Sequence, residues 1–197
     1  MSANRQRILP VEVCRRIIAL MNDVKVEYDL LGHPPISESQ ATIACRKECG
    51  WTGAHCRPIM LKAKDRYHLV VTTCDCSING RHFKKPFGTK NIRFARSEEI
   101  EEHSGCAIGS KGSLPPFLPG NRMVPHYFDL AILASENFMF FLAANTISVR
   151  IKSNDLYKLL TASGTKAFWF SRNTEERLDF FHHEELPRLR LSPPSCV

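Results

Sequence analysis

Residues 89–117 read TKNIRFARSEEIEEHSGCAIGSKGSLPPF, and the stretch changes character twice. Residues 91–95 read as a short strand. Ser97-Glu98-Glu99 then supplies a capping hydroxyl and two carboxylates, which suit the orphan N–H groups and positive dipole end of a helix start. That helix is expected to run to Glu102 or His103, with Gly105 as its stop. From Gly105 to Gly120 the chain is a Gly/Pro/Ser loop. Loops longer than about 12–15 residues without secondary structure are usually functional or disordered. This one carries Phe117 and two leucines, so it reads as an ordered, functional loop.

Working outward, the flanks alternate between the two periodicities. Pro10 suits a first helical position, and Val11, Val13, Ile17, Ile18 and Met21 recur at helical spacing. Residues 25–31 alternate as a strand that ends at His33-Pro34-Pro35, and a second helix is expected over residues 40–49. Residues 57–62 and 67–72 are apolar runs joined by Lys62-Ala63-Lys64-Asp65, a hairpin pattern. Residues 124–129, 138–142 and 146–151 read as further strands, and Ser153-Asn154-Asp155 caps a helix over residues 156–160. After Gly164 the chain turns polar and irregular. The expectation is an α/β (α+β) fold: one domain with a mixed, mostly antiparallel sheet or partial barrel flanked by helices. Its expected parts are a flexible arm at 1–10, the domain at 11–164 and a C-terminal extension at 165–197.

Composition bounds the function. The 197 residues are 43% hydrophobic, enough for a real core and against wholesale disorder. No stretch approaches the roughly 20 apolar residues of a membrane span. The N-terminus carries no apolar signal core, so a cytoplasmic protein with no membrane association is expected. The net charge of +7 favours polyanionic partners. Eight cysteines in a chain without a secretory signal read as reduced thiols. Cys45, Cys49 and Cys56 carry the one hint of zinc. The expectation is nevertheless no metal and no organic cofactor, because His55-Cys56 makes a poor second knuckle.

Four pieces in order carry a resemblance. VEYDLLGHPPISESQA (26–41), CRPIMLKAKDRYHLVV (56–71), the stretch 89–117, and VPHYFD (124–129) with AANTISVRIKSNDLYKLL (143–160) are together similar to the YbaK family. These are aminoacyl-tRNA deacylases of the prolyl-tRNA editing (ProXp-like) type, which remove wrongly attached amino acids in trans or within prolyl-tRNA synthetase. The resemblance implies a pocket for the aminoacyl-adenosine end. In it, backbone groups of the glycine-rich loop polarise the ester carbonyl and a lysine opening the central strand anchors the site. The implied partners are the charged 3′ end of tRNA and an aminoacyl-tRNA synthetase.

The chemistry suits such a site. An aminoacyl ester is already activated, so backbone N–H donors aimed at the developing oxyanion can supply several kcal/mol. Gly109-Ser110 and Gly112-Ser113 are both candidates for those donors, and Pro115 and Pro116 stiffen the far side. Arg57 stands where the family has lysine. Arginine stays protonated, so it can anchor but not act as a base. Lys62 is five residues along the same strand and should point to the opposite face. Pro58 stands where the family has Thr or Asn, Ala143 where many members have Gly, and Met139 where the alanine-editing branch has His. His33, Thr146 and Ser148 complete the expected substrate-binding set.

From Cys76 to Ser97 there is no acidic residue, while Arg81, Lys84, Lys85, Lys90, Arg93 and Arg96 are cationic. His82, Phe83 and Phe87 interleave, a pattern suited to phosphate tracking with base stacking. The leading expectation is a trans-editing hydrolase on mischarged tRNA. The rivals are a catalytically silent relative that binds tRNA or a synthetase complex, and a zinc-binding adaptor.

Overall fold

The computed structural model describes residues 10–104, 115, 124–172 and 177–182. Helix α1 (Pro10–Asp23) buries Val13, Ile17 and Met21 at helical spacing in the main core. Strand β1 (Tyr28–Gly32) follows, then helix α2 (Ser39–Glu48). Strands β2 (Ala54–Ala63) and β3 (Arg66–Thr73) form the expected hairpin, with Lys64 turning the chain at a φ of 54°. A 3-10 turn (Gly80–Phe83) runs into the one-turn helix α3 (Lys84–Phe87). Strand β4 (Ile92–Phe94) and helix α4 (Ser97–Ser104) come next. The second half comprises β5 (His126–Asp129), α5 (Ala131–Ala134), β6 (Asn137–Phe141) and β7 (Ile147–Lys152), then α6 (Leu156–Ser163), β8 (Ala167–Arg172) and β9 (Leu178–His182).

The described strands form one mixed, mostly antiparallel sheet in the order β1-β7-β6-β2-β3-β5-β8-β9, with β4 beside β2. Among the described strands β1 and β9 lie at the two ends, so the sheet is open. Central strands are buried on both faces, so neighbouring residues split between two cores. Met60, Leu69, Phe128 and Trp169 belong to the main cluster, which also takes in residues of α1 and α6. Leu61, Val70, Tyr127 and Phe170 turn to a second cluster with Phe83 from the 3-10 turn.

Two expectations need correction. The chain after Gly164 is not an irregular polar tail throughout: β8 pairs in parallel with β5, and β9 pairs with β8. The run Ala167-Phe168-Trp169-Phe170 drives this, since Trp169 and Phe170 are fully buried on opposite faces. Helix α5 was also not expected, because four residues are too few to show a helical period. The expected N-terminal arm lies almost wholly outside the described residues.

Candidate functional site

Strand β2 belongs to both halves of the sheet. It pairs with β6 at Ala54 and His55, and with β4 from Leu61 to Ala63. Between those contacts its outer edge meets no described strand. Backbone groups alternate sides along a strand. The Met60 carbonyl accepts from Ala95 N–H on the β4 side at 2.9 Å, whereas the His55 carbonyl accepts from Cys74 N–H on the β3 side at 2.7 Å. Even-numbered residues therefore turn their backbone to the open edge, and Pro58 is the middle one. A proline there forfeits no ladder hydrogen bond, and its carbonyl is left as an acceptor.

A cleft of about 800 Å³ opens against this edge, lined by β2 from Cys56 to Met60, the start of α2 and the corner between β4 and α4. That volume is within the roughly 300–1,000 Å³ typical of small-ligand sites. Arg57 and Pro58 both line it. Arg57 Nη2 donates to the Cys76 carbonyl at 3.1 Å, and its buried Nε has no partner among the described residues. The guanidinium is thus held at one end. Cys56 and Cys74 also line the cleft, and burial pushes both thiols up, so neither offers a ready thiolate. Glu38 and Glu98 are its carboxylates.

Helix α4 contributes Ser97, Glu98 and Ile100 to the wall and ends where the glycine-rich stretch begins. Gly109, Ser110, Gly112 and Ser113 lie outside the described residues. Pro115 is described and buried.

The other expected substrate residues form a second cluster that does not line the cleft. His33 sits with one ring nitrogen 2.9 Å from the Pro34 carbonyl and the other 3.0 Å from Ser148 Oγ. The backbones of Thr146 and Asn145 receive His33 N–H and Ile36 N–H. These bonds dock the β6–β7 turn on the His-Pro-Pro turn. Ala143 is buried with a φ of 55°, a left-handed conformation that explains why glycine suits this position.

Behind the cleft wall is a residue the sequence reading passed over. Arg46 is 1% exposed; its Nε donates to Ser148 Oγ at 2.9 Å and its guanidinium stacks 4.9 Å from the Phe141 ring centre. Burial lowers its pKa to about 10, and its Nη2 has no partner among the described residues. The available signal was the helical spacing of Thr42 and Arg46, which puts both on the buried side of α2.

The basic segment divides. Arg81, Lys84, Lys85, Lys90, Arg93 and Arg96 are all exposed. The interleaved aromatics are not arranged as the stacking reading expected. Phe83 is fully buried in the second core and Phe87 stacks on His68 at 3.8 Å, because the short turn-helix unit covers that face of the sheet. Arg93 is already spent on Glu99, with contacts of 2.6 and 2.7 Å. Glu99 also takes Lys62 Nζ and Arg96 N–H, each at 2.9 Å, and these donors hold its carboxyl below the usual range. Lys62 is therefore tied to α4, clear of the cleft lining.

Cys45 is half-buried on α2 and Cys49 is exposed just past its end, while Cys56 is buried in the main core. Among the described residues no group of three His, Cys, Asp or Glu side chains could hold a metal ion. A smaller depression of about 290 Å³ beside β1 and β7 is lined by charged groups that already pair, Arg150 with Asp29 and Lys152 with Glu136. Among the described helices none is long and apolar enough to cross a membrane.

Residues 44–159, well over half of the chain, match the aminoacyl-tRNA editing domain. The chain belongs to that family. The matched span of the editing domain runs from within α2 to within α6 and contains β2, its open edge and the β4–α4 corner of the cleft, while the cleft residues Ser37, Glu38, Ser39 and Thr42 precede it. No curated protein matches the chain. Among solved structures, hypothetical protein APE2540 superposes with a TM-score of 0.60 at 17% identity, over 77% of this chain and 96% of that one. A candidate trans-editing enzyme for prolyl tRNA synthetase gives 0.59 at 16% identity, over 79% and 94%. A scaffold protein used for computational epitope grafting gives 0.61 at 13%, over the same shares. At these identities the likeness establishes the fold.

Proposed function

We propose that this editing domain is a YbaK-like, trans-acting deacylase that hydrolyses mischarged aminoacyl-tRNA of the prolyl-tRNA type. The observation that carries the reading is the cleft at the open edge of β2, with Arg57 tethered on one side and α4 leading towards the glycine-rich loop on the other. In the proposed reaction a water oxygen bonds to the ester carbonyl carbon. The bond to the ribose oxygen then breaks, and the proton lost by the water ends on that leaving oxygen. Backbone N–H groups at Gly109-Ser110 or Gly112-Ser113 stabilise the oxyanion, and one such donor is worth roughly 10²–10³ in rate. Arg57 anchors the 3′ end, and the Pro58 carbonyl, with Glu38 or Glu98, accepts from the substrate ammonium. Arg81, Lys84, Lys85, Lys90 and Arg96 meet tRNA phosphates in a cytoplasmic setting, with a synthetase as a further partner. The domain proper covers 11–164, with 165–197 as an extension that adds strands to the same sheet.

A panel of mischarged tRNAs, including Ala- and Cys-tRNA(Pro), tests this. Hydrolysis by the wild type, reduced on the order of 100-fold in Arg57→Ala, is the expected result. A second reading rests on Arg57 itself, a permanent cation that cannot serve as a base. A silent tRNA-binding relative would hydrolyse nothing on the panel, and Arg57→Lys would restore activity if the site had decayed at that residue alone.

A further inference from the structure

We infer that Phe94 is a stacking platform for the terminal base of the tRNA 3′ end, with Arg96 beside it for the adjoining phosphate. This rests on the tRNA-directed reading above. Phe94 is the most exposed of the large apolar side chains described, at 57%, and it lies on the lip of the cleft. An aromatic ring left in water beside a cleft and among cations is what single-stranded nucleic-acid sites use, since every base offers a π-face.

The placement is specific. Phe94 pairs with Leu61 across the β2–β4 ladder. Cross-strand partners share a face, so the ring stands on the face of β2 that also carries Ile59 and Arg57. Four residues of strand separate Leu61 from Arg57, about 13 Å at ~3.3 Å each. A base on Phe94 therefore leaves its sugar and ester directed along the open edge towards Arg57.

The backbone around Phe94 is fixed before any ligand arrives. Ala95 N–H is held by the Met60 carbonyl at 2.9 Å, and Arg93 donates to the Phe94 carbonyl at 3.0 Å while gripping Glu99. Arg96 N–H is held by Glu99 at 2.9 Å. The Arg96 side chain is 73% exposed and reaches Glu99 only at 3.6 Å, so its charge is available to a phosphate.

The test is an uncharged acceptor-stem RNA hairpin ending in 3′-CCA, with 2-aminopurine as the terminal base. Binding to the wild type should quench its fluorescence, and Phe94→Tyr should keep the quench. Phe94→Ala and Phe94→Leu should lose it, with affinity falling roughly 5- to 100-fold and no change in thermal midpoint. A quench that survives Phe94→Ala, or no binding of the hairpin at all, overturns the inference. A Phe94-dependent quench in a protein that deacylates nothing supports the platform while removing the hydrolase. Hydrolysis with a Phe94-independent quench does the reverse.

Discussion

Gly53 sits immediately before β2, and replacing it with alanine separates two costs that other glycines show singly. Its φ is +130°, and a Cβ there would lie 2.5 Å from the Asn137 carbonyl oxygen and 3.0 Å from Asn137 Cβ. The atoms it meets first are backbone of β6, next to the ladder that joins Ala54 to Phe138, so they cannot swing aside. A conformation nearly reserved for glycine costs about 1–3 kcal/mol, and overpacking adds about 1–3 kcal/mol. The expected loss is about 2–6 kcal/mol. Gly50 has a φ of +74° and open space where a Cβ would go, so Gly50→Ala should cost only the left-handed term, about 1–2 kcal/mol. Gly32 has neither problem, and Gly32→Ala should be neutral or add up to about 0.5–1 kcal/mol. Urea unfolding of the three variants reads this order. With a slope of about 2 kcal/mol per molar, Gly53→Ala should bring the midpoint down by about 1–3 M. A Gly53→Ala midpoint within experimental error of the wild type, or one equal to that of Gly50→Ala, would refute the argument that β6 backbone packs against this turn.

Phe83 and Phe94 both belong to the basic segment, yet only one is core. Phe83→Ala should cost about 3–5 kcal/mol in a denaturant titration, because the ring is fully buried against Tyr127, Phe170 and Phe180; a loss below about 1 kcal/mol would mean the turn-helix unit is not seated on the sheet. His126 is buried in neutral form, and burial lowers its pKa from 6.5 to about 4. The unfolded chain then binds the extra proton between pH 6.5 and 4, so the contribution of His126 to stability falls as pH drops through that window and is constant above it. A fall from 6.5 to about 4 corresponds to about 3 kcal/mol. Thermal midpoints recorded from pH 7 to 4 should fall, and less steeply in His126→Phe; parallel curves would show that the imidazole is not what titrates.

Most of the fold was legible because its elements announce themselves locally. The β2–β3 hairpin, the Ser97-Glu98-Glu99 start of α4 and the α1 stripe each carry a complete signal within their own residues. Helix α5 and strands β8 and β9 do not. Ala167–Arg172 is a short aromatic run that becomes a strand through its parallel partner β5, a contact far away in sequence. The site was legible in part. Arg57 and Pro58 do line the cleft, whereas His33, Thr146 and Ser148 form the buttress behind it. Phe83 misled because an aromatic among lysines looks the same in sequence whether its ring faces water or the core. Phe94 carries the opposite outcome from an equally ambiguous pattern. Register does not separate them, because Phe94 pairs with Leu61 and so shares the face that carries the second core; what differs is that Phe83 is buried within that core whereas Phe94, on the three-residue strand β4, stays 57% exposed.

The positions at which this chain departs from what the YbaK resemblance implies can be sorted by what each backbone position does. Pro58 occupies a residue whose N–H has no described strand to reach, so losing that donor leaves the ladder intact. Ala143 takes a left-handed backbone that glycine would adopt without strain, so the turn geometry is kept while the residue changes. Arg57 supplies a cation where the YbaK resemblance implies a lysine, and one end of it is tied to the Cys76 carbonyl. At Pro58 and Ala143 this chain's own backbone geometry accommodates the residue, and at Arg57 a positive charge lines the cleft. A site that works through backbone donors and an anchoring charge tolerates such changes, whereas one that needs a titrating lysine does not. On the proposed reading Arg57 therefore discriminates between the two mechanisms, and an active Arg57 enzyme would place the burden of catalysis on the loop rather than on the strand.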